Sequence, residues 1–370
     1  MIVLQKEDSC MTKVLIVGMT QGVGGVETFI CNIKKHISKD IEMDFLVHQD
    51  INERYKSDVL SNDSKIYKVS GIKCGIFKYL RDIFKFYKEN KYDVVHINEC
   101  DAKMFFYGLP LLFDRKTKVI IHSHSTSAKN VFVHNILKFF QNRRANVKWA
   151  CSAEAYDYMF GKKSKRTIIH NGIDLNTFKY DKSIEKRKRE EFGLKDEIIF
   201  CSVARFTKEK NHQKIVHIFD EYHKLNPNSK LILVGTGPLQ EDTKKLVQEL
   251  KLQKEVLFLG SRTDVNEILS MVDVFLLPSL FEGLPFVSLE GQACCVLFFA
   301  SSNVSKEIAI TDLVHFINLD ESSKEWAKQI EKALKNKVNR EDKKYHEEIK
   351  NAGYDINQVC DFIEKEYKGK

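Results

Sequence analysis

The sequence lacks any apolar run long enough to cross a membrane. Its longest, 104–113, contains Gly108 and Pro110 and falls well short of the ~20 residues a spanning helix needs. A signal-peptide layout is also missing, because Gln5, Lys6, Glu7 and Asp8 follow a very short apolar start. The nine cysteines, Cys10, Cys31, Cys74, Cys100, Cys151, Cys201, Cys294, Cys295 and Cys360, are odd in number and include no C-x-x-C pair. That pattern reads as free thiols in a reducing compartment and excludes a disulfide framework. No two aspartates stand two positions apart, so no Asp-x-Asp pair exists, and there is neither a short-period repeat nor a low-complexity tract. These absences lead us to expect a cytoplasmic protein whose membrane contact, if any, is peripheral. Met11, just before the first strand, is an alternative start to Met1.

What is present is a chain of 370 residues, comfortable for two domains. Hydrophobic residues at 43% and charged residues at 30% give the balance of a globular protein. The net charge of +8 could serve phosphate-bearing ligands or an anionic membrane, but by itself it favours simply solvated, Lys-rich helices. No nucleic-acid partner is expected. Short β-branched runs at 14–17, 44–47, 93–97, 118–122, 148–151 and 167–170 alternate with helical patterns. A second series follows at 198–203, 230–234, 256–259, 273–277, 296–300 and 314–317. Continuous apolar strands with helices between them indicate parallel sheets covered on both faces. The expected fold is α/β, with two Rossmann-like doubly wound domains facing a central cleft. We place them at 11–180 and 181–350, with a charge-dense linker at 180–191 and a final helix in 351–370 packing back on the first domain.

Open parallel sheets bind ligands at the carboxyl ends of their strands, so the following loops carry the argument. After 273–277 comes Phe281-Glu282-Gly283-Leu284-Pro285-Phe286-Val287-Ser288-Leu289-Glu290. Gly283 and Pro285 open a helix running through Glu290, and free N–H groups at such a start suit anions and hydroxyls. Glu282 and Glu290 are eight residues apart, about two helical turns, so both can face one ligand. An amphipathic helix with a first-turn Glu stabilised by the dipole has the same letters. After 198–203 come Arg205 and, beyond four residues, Lys210. A forked guanidinium and an ammonium suit phosphate oxygens; a solvated basic turn is the plain alternative. Leu233-Val234-Gly235-Thr236-Gly237-Pro238 and Leu259-Gly260-Ser261-Arg262 are strand ends running into Gly turns.

In this order and spacing, the four segments resemble the donor-binding loops of retaining GT-B glycosyltransferases, family 4 in particular. The first half extends the resemblance. Gly22-Val23-Gly24-Gly25-Val26-Glu27 follows a strand and opens a helix, a turn that admits a phosphate close to the backbone. Glu27 stands where the dinucleotide fingerprint needs its third Gly, which weighs against an NAD enzyme. The loop is similar to the family's Gly-Gly-Val-Glu loop. His122-Ser123-His124-Ser125-Thr126 is similar to the family's His loop, with His124 at the matching position and His122 still in the strand. Two His with no nearby Asp, Glu or Cys partner are not expected to bind metal. His170-Asn171-Gly172-Ile173-Asp174 is similar to the family's Asn-Gly turn at the end of the first domain.

The resemblance implies a metal-independent, retaining transfer of a sugar from a nucleotide-diphosphate donor, UDP by default. The implied acceptor is a saccharide, lipid-linked, on a growing surface polysaccharide such as a capsule or exopolysaccharide. No cofactor is implied, and the missing Asp-x-Asp fits a diphosphate held by Arg205 and Lys210. The implied roles are Glu282, with the 283–286 backbone (Gly283, Leu284, Pro285, Phe286), on the sugar and Glu290 on the ribose. Gly235 and Arg262 face the base, and His124 with Gly24 and Gly25 approach from the other domain. Two other readings fit the same residues. A nucleotide-sugar 2-epimerase of the same fold would need acid–base groups at the sugar C2 and no acceptor. A non-catalytic sugar-nucleotide-binding partner in polysaccharide assembly would bind without turnover. The sequence departs from the family at Cys294-Cys295, where Cys replaces the Gly that tolerates a positive φ at a helix end. Two basic, aromatic segments, 73–88 and 129–148, could contact anionic membrane, the second through Arg143 and Arg144; both also read as helices covering a sheet, and for the aromatics of the first that is the preferred reading.

Overall fold

The computed structural model describes residues 11–128 and 130–369. Met1, Cys10, the charged start from Gln5 to Asp8, Lys129 and the side chain of Met104 lie outside the described residues. Among the described residues no helix is long and apolar enough to cross a membrane.

The chain divides into two compact units. Unit 1 runs up to Gly172 and resumes at Asp355; unit 2 is Ile173–Tyr354. The charge-dense stretch at 180–191 is not a linker. Most of it is a helix of unit 2, Lys182–Glu191, capped by Asp181, whose Oδ1 accepts from Ser183 and Ile184 N–H. Its charges are internally paired: buried Lys188 contacts Glu191, Asp264 and Glu267, so a polar segment became an anchored element.

Unit 1 holds strands β1 (Thr12–Val17), β2 (Ile41–Val47), β3 (Ile66–Lys68), β4 (Val94–Glu99), β5 (Lys118–Ser123) and β6 (Val147–Ala150). Its helices are α1 (Gly25–His36), α2 (Glu53–Val59), α3 (Ile76–Glu89), α4 (Val131–Arg144), α5 (Ala153–Phe160) and the chain's last helix, Ile356–Tyr367. A 3-10 segment, Ala102–Leu112, follows β4. All pairings are parallel, in the order β3-β2-β1-β4-β5-β6. The run expected as a strand at 167–170 makes only an isolated bridge, Ile168 to Ala150. The sixth strand is β3, a three-residue edge piece that is only half-buried, too short to leave a pattern in the sequence.

Unit 2 repeats the plan with β7 (Ile198–Val203), β8 (Ser229–Val234), β9 (Val256–Gly260), β10 (Val274–Leu277), β11 (Leu297–Ser301) and β12 (Val314–Ile317). The order is β12-β11-β10-β7-β8-β9. Its helices are α6 (Lys182–Glu191), α7 (His212–Leu225), α8 (Gln240–Glu249), α9 (Val265–Met271), α10 (Phe286–Ala293), α11 (Ser323–Leu334) and α12 (Lys344–Asn351); the last helix of the chain is then α13. Alternate strand residues fill two cores. Phe200, Leu231, Leu233, Val274, Leu276 and Phe299 point to one face; Ile199, Cys201, Ile232, Phe275, Leu277 and Phe298 point to the other. Burial on both faces is why these strands read as unbroken apolar runs.

At the end of α10 the Cys295 φ is +58°. Cys295 N–H donates to Gln292 O at 2.9 Å and Val296 N–H to Gly291 O at 3.0 Å, a helix-ending turn in which glycine is the usual residue. In unit 1, α13 packs on α1: Ser38 N–H donates to Glu364 Oε1 at 2.7 Å, and the Tyr367 hydroxyl lies 2.6 Å from His96 Nδ1.

Candidate active site

Each sheet has one switch point, where neighbouring strands lead their connections to opposite sides. In unit 2 it lies between β7 and β10. There the loop after β7 and the loop after β10 are stitched together. Lys210 forms an ion pair with Glu282. Asn211, held in the left-handed region at φ 54°, donates from Nδ2 to Pro278 O at 3.1 Å, and Leu280 N–H donates to Glu209 O at 2.8 Å. Ser301, at the end of β11, donates to Ser279 O at 2.5 Å, and Ser305 N–H donates to Glu282 O at 3.0 Å.

Glu282 therefore does not sit on a helix. Its backbone bridges Val304 in parallel fashion, and α10 starts only at Phe286 after Pro285. The two-turn spacing expected between Glu282 and Glu290 is replaced by an extended loop followed by one turn of helix. The loop is pinned by its apolar side chains: Leu284 and Phe286 pack against buried clusters. Phe281 points out to solvent, while the Glu282 carboxylate is mostly covered and held by Lys210. A Cβ on Gly283 would meet no protein atom within 4 Å. Glu290 is half-buried on α10. The Arg205 side chain is exposed and makes no ion pair among the described residues.

The glycines after β8 serve close approach. A Cβ on Gly235, at φ +129°, would lie 2.1 Å from Ala204 O, and one on Gly237 would lie 2.5 Å from Phe206 O. Two backbone bonds, Phe206 N–H to Thr236 O at 3.1 Å and Leu239 N–H to Phe206 O at 3.1 Å, lock the loops together. Arg262, after β9, forks onto Asp264 at 2.8 and 2.7 Å, which holds that carboxyl well below its usual range.

In unit 1 the switch point lies between β1 and β4. Gly18 leaves β1 at φ +131°, and its missing Cβ would lie 2.4 Å from Asn98 O and 2.9 Å from Asn98 Cβ. The glycine loop beyond it is braced by Thr20, whose hydroxyl donates to Glu27 Oε1 at 2.5 Å and accepts from Gly22 N–H at 3.0 Å. Gly24 is the N-cap of α1 with no side-chain cap, and a Cβ on Gly25 would meet nothing within 4 Å. Free N–H groups at an uncapped helix start suit an anion. His122 ends up inside β5 and His124 just past it, with ring centroids 4.1 Å apart. His124 Nε2 lies 3.0 Å from Asn98 Oδ1. Burial lowers the pKa of His124 to about 3, and of His96, stacked on His122, likewise to about 3.

Both units are similar to known proteins. Residues 184–355 match the family described as glycosyl transferases group 1, and residues 23–177 match glycosyltransferase family 4. An Escherichia coli enzyme, UDP-Gal:alpha-D-GlcNAc-diphosphoundecaprenol alpha-1,3-galactosyltransferase, is 30% identical over 274 residues, covering 65% of this chain and 68% of its own. The chain is a family 4 glycosyltransferase. EpsF of Bacillus subtilis, a glycosyltransferase by description, is 29% identical over 341 residues and 88% of each chain. Among solved structures, Anabaena HepE in complex with UDP superposes with a TM-score of 0.79 at 17% identity, covering 97% of this chain and 100% of that one. The glycosyltransferase therefore has the GT-B fold.

Two residues that the motifs did not flag, Thr20 and Asn98, lie at the unit 1 switch point. Asn98 and Thr20 look like ordinary polar residues in sequence. The Gly18 φ, the strand order and the 3.0 Å contact are what bring them forward, and no local pattern encodes those. The pair Arg143 and Arg144 separates. Arg144 is buried, donating to the carbonyls of Leu111, Asp114 and Thr117, so it is a structural clamp and not a surface cation.

Proposed function

We propose that this glycosyltransferase moves a sugar from a UDP-sugar to a lipid-linked saccharide, retaining the anomeric configuration and holding the diphosphate with fixed cations. The observation that carries the reading is the exposed Arg205 together with the Lys210–Glu282 pair at the unit 2 switch point. An ammonium has three donors. Lys210 orients Glu282 with one and offers the others, beside the Arg205 fork, to the departing diphosphate. Stabilising that leaving group is the largest catalytic contribution, and its oxygen takes the acceptor proton. Glu282 and the 283–286 backbone hold the sugar, where Gly283 leaves room. Glu290 orients the ribose, and Gly235 and Arg262 face the base. In unit 1, Gly24 and Gly25 present uncapped N–H groups to phosphate, and His124 meets the sugar as a neutral hydrogen-bonding ring.

The relatives support this direction. The E. coli relative is named for UDP-Gal and a diphosphoundecaprenol acceptor, and HepE was solved with UDP and with UDP-glucose. A lipid-linked acceptor calls for peripheral contact with anionic membrane, and α4 of unit 1 is suited to it. It buries His134, Gln141 and Arg144 while exposing Val131, Phe132, Ile136, Phe139 and Phe140. Hydrogen bonds from the inner side chains fix this orientation, so the helix cannot roll its aromatics inward. Exposed apolar patches of this kind mark interaction surfaces, and Arg143, stacked over Phe139, adds a cation.

Thermal-shift screening against nucleotide sugars tests the donor. A ligand at 100 times its Kd adds ~2.7 kcal/mol, so the UDP-sugar donor raises the melting temperature. No response to any UDP compound contradicts the reading.

A further inference from the structure

The unit 1 switch point carries a polar side chain to which neither the motifs nor the proposed mechanism gave a role. Asn98 is the penultimate residue of β4 and is essentially buried. Its place is fixed from two sides. Its neighbour Glu99 accepts from His124 N–H at 2.8 Å through the backbone. Gly18, at φ +131°, has no Cβ and so makes room for the Asn98 backbone and Cβ. Of the side chains in this corner, Asn98 hydrogen-bonds to the His124 ring. An apolar ring packs against both histidines. Phe29 of α1 lies 5.1 Å from the His124 ring and 4.9 Å, edge-on, from His122.

We propose that Asn98 is a positioning residue for His124: its side-chain carbonyl accepts the Nε2 proton and so leaves Nδ1 as the acceptor for a substrate hydroxyl. A neutral imidazole has one N–H and one lone pair, and the partner of one nitrogen decides what the other can do. An amide oxygen can only accept. With Oδ1 3.0 Å from Nε2, the proton stays on Nε2. His124 Nδ1 makes no hydrogen bond among the described residues and is not one of the atoms shut away from solvent. Burial keeps the ring neutral, so His124 does not act on the substrate as an imidazolium acid. The ring offers a hydroxyl one lone pair in a fixed direction. The second amide atom, Asn98 Nδ2, is buried without a partner. The opposite orientation of the amide would donate to Nε2 and place the proton on Nδ1, giving the substrate a donor instead.

This inference rests on the reading of His124 as a substrate contact, and the experiment separates the two. The tautomer of His124 is read in the full-length protein by long-range 1H–15N NMR, with the resonance assigned by its loss in His124→Gln. The expected result is the Nε2–H form in wild type and a mixture of tautomers in Asn98→Ala. In turnover with the best UDP-sugar of a panel, Asn98→Ala and Asn98→Leu lose about tenfold in kcat, the worth of one hydrogen bond, with little change in UDP affinity. A wild-type Nδ1–H tautomer overturns the proposal, whether or not the variants fold. So does Asn98→Ala with unchanged tautomer and unchanged kcat while His124→Ala is impaired. If His124→Ala turns over like wild type, the reading of His124 itself fails, and the Asn98 proposal with it.

Discussion

Lys210 and Glu282 form an ion pair although 72 residues separate them. The pair closes over the one place in unit 2 where neighbouring strands, β7 and β10, send their connections to opposite sides. If Lys210 and Arg205 hold the diphosphate, each contributes a charge-assisted hydrogen bond of roughly 1.5–3 kcal/mol. Arg205→Ala or Lys210→Ala then weakens UDP binding about tenfold to a hundredfold. Lys210→Ala also leaves Glu282 without its cation, so it is the more damaging of the two for turnover. Calorimetry with UDP measures the first effect, and unchanged affinity in both variants refutes the diphosphate assignment.

The glycines separate into two kinds, and alanine substitution tells them apart. A Cβ at Gly235 would collide with Ala204 O at 2.1 Å in a positive-φ conformation, so Gly235→Ala costs stability. Strain of this kind is worth about 1–3 kcal/mol. Gly25 and Gly283 meet no protein atom within 4 Å. Gly25→Ala, at a helix start, leaves the melting temperature unchanged or higher. If the open space belongs to the ligand, both Gly25→Ala and Gly283→Ala still impair donor use. Wild-type kinetics in these two variants removes the reason for placing substrate there.

Three histidines of unit 1 predict how stability depends on pH. His96, His122 and His124 all have folded pKa values lowered by burial, below an unfolded value near 6.5. The unfolded chain therefore binds more protons as pH falls. Their stabilisation is complete above about pH 6.5 and drains away as pH drops toward the folded values. At pH 5.5 each such histidine costs up to about 1.4 kcal/mol. Trp149 touches both His96 and His122. In a Trp326→Phe background its fluorescence reports unit 1 unfolding in urea. His122→Phe keeps a ring in place and removes one proton, so the loss between pH 7.5 and 5.5 shrinks by about 1 kcal/mol. An unchanged loss would show that His122 is protonated in the fold.

The outward face of α4 gives a membrane prediction. Phe139→Ser with Arg143→Glu removes both an exposed aromatic and the cation stacked on it. Sedimentation with phosphatidylglycerol vesicles at low salt falls, while the melting temperature holds because neither side chain is buried. Wild-type sedimentation of the double variant rules this face out. Arg144 is no part of this test, since its substitution would break the clamp on three carbonyls.

The sheets were legible because strands buried on both faces leave continuous apolar runs. β3 was not, being three half-buried residues, and 167–170 misled because its apolar residues pack without forming a ladder. The strained end of α10 could be read from Cys where glycine is usual, and Cys295 has φ +58°. Chemical letters were legible where they cluster, as in Arg205 to Lys210 and Glu282 to Glu290. Their partners were not. Whether Arg144 faces water or carbonyls, and whether Asn98 meets His124, depends on which strands lie side by side, and a single sequence does not spell that out.

The central claim is retaining transfer from UDP-sugar to a lipid-linked saccharide with the diphosphate held by side chains. One reaction tests it most directly: a UDP-sugar and an undecaprenyl-diphosphate-linked acceptor incubated with the enzyme in EDTA, with the product followed by NMR. The account predicts release of UDP and a new glycosidic linkage with the donor's anomeric configuration. An inverted anomer, strict dependence on added Mg²⁺ or Mn²⁺, or a C2-epimerised sugar formed without acceptor would contradict it.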